Sequence, residues 1–143
     1  MNTCGSYKSL EIYQLAHALG VRIHHFTLNL PKYEMYECGS QLRRASKSIS
    51  ANIVEGYGRR RYKAEFIRFL IYAQASCDES IEWLCYIRDC HEQLADESTL
   101  LLQQAGEVGR KLNRFIQAVE SSHQPSKQIP VSSIKHPVSI FNL

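Results

Sequence analysis

The chain has no run of eighteen apolar residues, no apolar leader at its N-terminus and no C-x-x-C pair. The first two absences exclude a membrane-spanning helix and a secretory signal, so a soluble, cytoplasmic protein is expected. Thiols stay reduced in that compartment. The five cysteines are Cys4, Cys38, Cys77, Cys85 and Cys90, and the only close histidine is His91, adjacent to Cys90. Neighbouring residues point to different sides of a helix, so neither a metal site nor a disulfide staple is expected. A phosphate-cradling loop is missing too, because E-G-Y-G-R at 55–59 matches neither a P-loop nor a dinucleotide fingerprint. Proline is confined to Pro31, Pro125, Pro130 and Pro137, and no strand-like alternation or internal repeat interrupts the 143 residues, one domain's length.

What is present is helical periodicity. Ile12, Ala16, Leu19, Ile23, Phe26 and Leu30 recur at alternating spacings of four and three, with Ser9 as the expected N-cap and Pro31 as the stop. After a short Lys-Tyr-Glu connection, Cys38, Leu42, Ala45, Ile49 and Ile53 form a second seam, ended by Gly56 and Gly58 read as turn formers. A third helix from about Lys63 to His91 buries Phe66, Leu70, Ala73, Cys77, Ile81 and Leu84. Its second stripe, Phe69, Tyr72, Trp83 and Tyr86, is more apolar arc than one core needs, so a subunit interface is expected ahead of a nucleobase-stacking surface. A fourth helix, capped by Asp96, carries Leu101, Ala105, Val108, Leu112, Phe115 and Val119. The expected fold is all-α: an up-and-down four-helix bundle over residues 1–120. An irregular Pro- and Ser-containing tail follows over 121–143, apolar enough to dock on a neighbouring subunit or partner.

Charge is concentrated between Gln41 and Leu70. Arg43, Arg44, Lys47, Arg59, Arg60, Arg61, Lys63 and Arg68 face only Glu55 and Glu65 there, a surplus of six in a chain of net charge +3. Such a concentration is the electrostatic footprint of a polyanion partner. Cations at the start of the third helix also oppose its macrodipole, a local conflict that points to function. Ser48, Asn52 and Glu55 at helical spacing read as interhelical hydrogen-bonding groups, since no base is placed to activate Ser48.

The run S-Q-L-R-R-A-S-K-S-I-S-A-N-I-V-E-G-Y-G-R, the later E-F-I-R-F-L and the opening S-L-E-I-Y-Q-L-A resemble the signature of four-helix-bundle proteins encoded in intervening sequences of bacterial 23S rRNA genes. The resemblance runs from about Tyr7 to Val119. It implies a bacterial, non-enzymatic homopentamer, akin to the accessory variability determinants of diversity-generating retroelements, which bind nucleic acid and a reverse transcriptase. Arg43, Arg44, Arg59 and Arg68 carry over as basic positions, and Asn52, Glu55, Gly56 and Gly58 as structural ones. The chain departs from the pattern in having Arg61 and Tyr62 where a Ser or Thr would cap the third helix.

Three function classes follow. The first is an oligomeric accessory protein whose eight basic residues contact phosphates without reading bases. The second is a protein-interaction module, its arginines pairing with an acidic partner or with Asp78, Glu79 and Glu82 of an adjacent subunit. An enzyme is the third and least supported. No cofactor is expected, and His17 and His24 lie about 10 Å apart along a helix, too far to share one metal.

Overall fold

The structure, a computed structural model, describes residues 5–122. Five α-helices follow a one-turn 3-10 helix at Tyr7–Ser9: α1 (Glu11–Leu28), α2 (Lys32–Tyr36), α3 (Cys38–Gly58), α4 (Lys63–Cys90) and α5 (Ala95–Glu120). The four long helices close a bundle in which α1 and α4 each pack against both α3 and α5. Contacts between Lys111 and Glu11, and between Arg22 and Gln104, run the α1–α5 pair antiparallel, as short up-and-down connections require. The predicted seams are the core: Leu19, Ile23, Leu42, Ile49, Ile53, Phe66, Leu70, Leu84 and Leu112 are wholly inaccessible. Their 3.6-residue recurrence puts one face of each helix inward.

The helix ends differ from expectation. Ser9 does not cap α1; its hydroxyl donates to the Ser6 carbonyl inside the 3-10 turn, and Leu10 takes the cap position with no side-chain bond. Asp96 lies inside the first turn of α5, after Leu94. The residues after Pro31 form the short helix α2 where a plain connection was expected. Tyr62 precedes α4 in extended geometry with no side-chain cap, yet the helix starts at Lys63. The tail guess concerns residues beyond Ser122, outside the described part.

Gly56 and Gly58 are not turn formers, because α3 continues through both and neither has positive φ. Gly56 is instead a contact point. A Cβ there would sit 3.1 Å from Phe69 Cβ and 3.3 Å from both the Phe66 ring and the Phe66 carbonyl oxygen. Backbone and Cβ atoms cannot swing aside, so only glycine lets α3 and α4 approach this closely. A Cβ on Gly58 would meet nothing within 4 Å.

At the opposite end of the bundle, α2 is tied down by Glu34. Its carboxylate accepts the Cys38 N–H at 3.2 Å, satisfying an orphan donor of α3, and lies 2.7 Å from His91 Nε2 just past α4. Both side chains are buried. Desolvation pushes the Glu34 pKa up, but the hydrogen bonds from His91 and Cys38 outweigh it and leave the carboxyl below its ordinary value. Burial, then Glu34 itself, pushes the Cys38 thiol up to about 11.

Two predictions follow from these contacts. Gly56→Ala should destabilise the bundle by about 1–3 kcal/mol despite its gain in helix propensity, since α3 and α4 must part. Gly58→Ala should be neutral or stabilising by up to ~1 kcal/mol; equal losses at both positions in chemical denaturation would refute the packing account. Glu34→Ala should cost roughly 2–3 kcal/mol at pH 7 by leaving His91 and the Cys38 N–H unpaired. Because the Glu34 pKa is depressed on folding, its ionisation adds stability above the unfolded value of 4.5, lost as pH falls through the folded one. The gap between wild type and Glu34→Ala should therefore narrow on acidification.

Candidate nucleic-acid interface

The eight basic residues that are neighbours in sequence occupy two regions in space. Arg43, Arg44 and Lys47 lie on the N-terminal half of α3, whereas Arg59 follows its C-terminus. The step of fifteen residues from Arg44 to Arg59 spans about 22 Å along the helix axis, and that of twelve from Lys47 about 18 Å. The α3–α4 turn at 59–62 gathers Arg59, Arg60 and Arg61, with Lys63 and Arg68 on the first turns of α4.

Most of the turn's cations are engaged within the chain. Arg59 donates from Nη2 to Glu55 at 3.1 Å and from Nη1 to Glu65 at 3.3 Å, and its guanidinium carbon lies 4.8 Å from the Phe69 ring centroid. Arg68 donates to Glu65 and, at 2.8 Å, to the Tyr72 hydroxyl. Arg60 stacks 3.8 Å from the centroid of Tyr57 and donates to the Tyr57 carbonyl. Lys63 donates to the carbonyls of Glu120 and Ser122. That last pair corrects the macrodipole argument, because the ammonium of Lys63 serves the C-terminus of α5, where a cation is favourable.

The α3 group is arranged otherwise. Arg43 donates from Nη2 to the Met35 carbonyl at 3.0 Å, while its buried Nη1 has no hydrogen-bond partner among the described residues. Arg44 and Lys47 are exposed, as is Arg61 at the turn, and among the described residues no carboxylate lies within ion-pair distance of these three. Of the eight, the exposed cations without a partner among the described residues are therefore Arg44, Lys47 and Arg61.

Asn52 makes no interhelical bond. Its amide donates to the Ser48 carbonyl at 2.9 Å and to the Ser48 hydroxyl at 3.2 Å, one turn back on α3, and Glu55 likewise pairs along the chain with Arg59. The four stripe aromatics of α4 form two pairs: Phe69 with Tyr72, ring centroids 5.4 Å apart, and Trp83 with Tyr86 at 5.9 Å. The arginines cover much of the first pair, and the Trp83 indole donates to Glu79. Tyr72, Tyr86 and Ile71 remain about half exposed.

Sequence reasoning missed a cleft of about 420 Å³ between α1 and α3, lined by His17, Val21, His24, His25, Lys47 and Ser50. The signal was present, since His17, Val21 and His24 are one and two turns apart on one face. Half-burial, then Lys47, His25 and Arg43, hold the His24 pKa below its ordinary value. Among the described residues no three His, Cys, Asp or Glu side chains are grouped as a metal ion would need, and no helix is long and apolar enough to cross a membrane.

No curated protein matches the chain. A family model described as 23S rRNA-intervening sequence protein matches residues 8–114, from the 3-10 turn through most of α5. That span includes both basic groups, the Gly56 contact and the Glu34–His91 pair. The chain belongs to the family of 23S rRNA-intervening sequence proteins.

Proposed function

We propose that this protein is a non-enzymatic nucleic-acid-binding accessory protein that contacts phosphates without base-specific readout. The observation that carries the reading is that three of the eight clustered basic residues, Arg44 and Lys47 on α3 and Arg61 at the turn, are exposed and have no carboxylate partner among the described residues. Neutralising phosphates with such groups releases counterions and supplies sequence-independent affinity. Arg43, Arg59, Arg60, Lys63 and Arg68 shape and support these surfaces, and reach phosphate only by loosening contacts they already make. The family's association with rRNA genes makes RNA the first polyanion to test.

Chemistry of the side chains supports a non-catalytic role. Burial holds the Cys77 thiol up at about 11, as it does Cys38, so neither is an activated nucleophile. The exposed Ile71, Tyr72 and Tyr86 on α4 support self-association along that helix into a homo-oligomer, with the pentamer as the family-derived expectation. The second reading is a protein partner with an acidic surface, such as a reverse transcriptase, which would meet the same basic residues.

Binding to a single-stranded RNA should weaken with salt at a log–log slope near −0.7 per phosphate, so three contacts give roughly −2. Changing Arg44, Lys47 and Arg61 together to Ser should flatten that slope nearly to zero, while Arg59→Ser should leave it almost unchanged. A flat salt dependence in the wild-type protein would refute the reading. Tyr72→Asp with Tyr86→Asp should lower the molar mass found by sedimentation without reducing the helical circular-dichroism signal; an unchanged mass would place any subunit contact elsewhere.

A further inference from the structure

The α1–α3 cleft gathers ionisable groups of one kind. Its ionisable lining groups are all bases, His17, His24 and His25 from α1 and Lys47 from α3. No carboxylate lines it. Elsewhere the cations of Arg59, Arg68, Arg88 and Lys111 are each matched by a Glu or Asp. Arg44 lies three residues before Lys47, one turn away on the same side of α3, and Arg43 is close enough to act on His24. Between these bases the wall is apolar: Val21 is 45% exposed, and beside it Gly20 contributes no side chain. The volume of about 420 Å³ falls within the range of roughly 300–1,000 Å³ typical of small-ligand sites. A cationic rim around an apolar slot fits an anionic head on a flat, weakly polar body.

We propose that this cleft binds a nucleotide, its phosphate held by Lys47 and by protonated His24 with His17 and His25 around it, and its base against Val21. The nucleotide is either free or part of a single strand. In the strand form the proposal rests on the nucleic-acid reading above; in the free form it stands apart from it. Binding takes up a proton. His24 is faced by Lys47 and Arg43 from α3 and by His25 on its own helix, all of them basic, and α5 adds no charged group that acts on it. These neighbours disfavour the imidazolium in the empty cleft, and a phosphate among them reverses the balance. Affinity therefore rises as the pH falls through the histidine range.

The test uses adenosine monophosphate and a ten-nucleotide oligouridine as probes, with binding followed at pH 7.5 and 5.5 alongside the NMR titration of the histidine ring protons. Either probe should bind about tenfold more tightly at pH 5.5, as uptake averaging about half a proton over those two pH units requires, and should raise the His24 pKa. Lys47→Ala should weaken binding at both pH values. His24→Gln should remove most of the pH dependence while keeping the salt dependence, with thermal melts confirming that both variants stay folded. Binding of the monophosphate alone supports the cleft and overturns the strand reading. Oligouridine binding that is salt-sensitive, flat with pH and unaffected by His24→Gln keeps the nucleic-acid reading and overturns the cleft proposal. Histidine resonances unmoved by both probes overturn it as well.

Discussion

The close approach of α3 and α4 at Gly56 is the constraint on which the rest of the bundle depends. With hydrogen in place of a side chain, the end of α3 rests on the Phe66 backbone and the Phe69 Cβ. This contact carries Phe66 into the core, where its ring meets Tyr57 and Phe115 edge to face. It also sets Phe69 on the outer side, where Arg59 covers it. Interior packing and exterior charge at this end thus follow from one missing methyl group.

The division of the basic residues follows from the same geometry. A helix of twenty-one residues separates what the sequence writes within thirty positions, so the apparent single patch becomes two. The turn group then spends much of its charge internally: Glu55 and Glu65 neutralise Arg59 and Arg68, and Lys63 holds the carbonyls that close α5. Exposed pairs of this kind contribute little to stability singly. Their larger effect here is on the outward field, which they reduce at the turn and leave undiminished along α3.

The fold was legible in the chain because each long helix repeats its apolar residues with the helical period, and burial obeys that repeat from Ile12 to Val119. Helix ends were not legible. Caps were assigned to the nearest Ser or Asp, whereas the start of α3 is served by a carboxylate four residues earlier that is also bound to His91, fifty-seven residues away. The glycines misled for a related reason: a sequence shows that a residue permits positive φ, not that a neighbouring helix needs its missing side chain. The basic residues are legible as a cluster in sequence, but their partners are not, since Arg60 over Tyr57 and Lys63 at Ser122 depend on how the ends of three helices meet. For His17 and His24 the spacing shows only that they are too far apart to share a metal ion; that they face Lys47 depends on how α1 meets α3.

The described chain both enters and leaves at the α3–α4 turn. Tyr57 donates from its hydroxyl to the Gly5 carbonyl at 2.6 Å, and Lys63 grips Ser122. One turn thus fastens both ends of the described chain to the same point, and the α2 end lies a full α4 length away, about 42 Å. Loosening the turn therefore frees the first and last described residues together, while the Glu34–His91 end keeps its own ties.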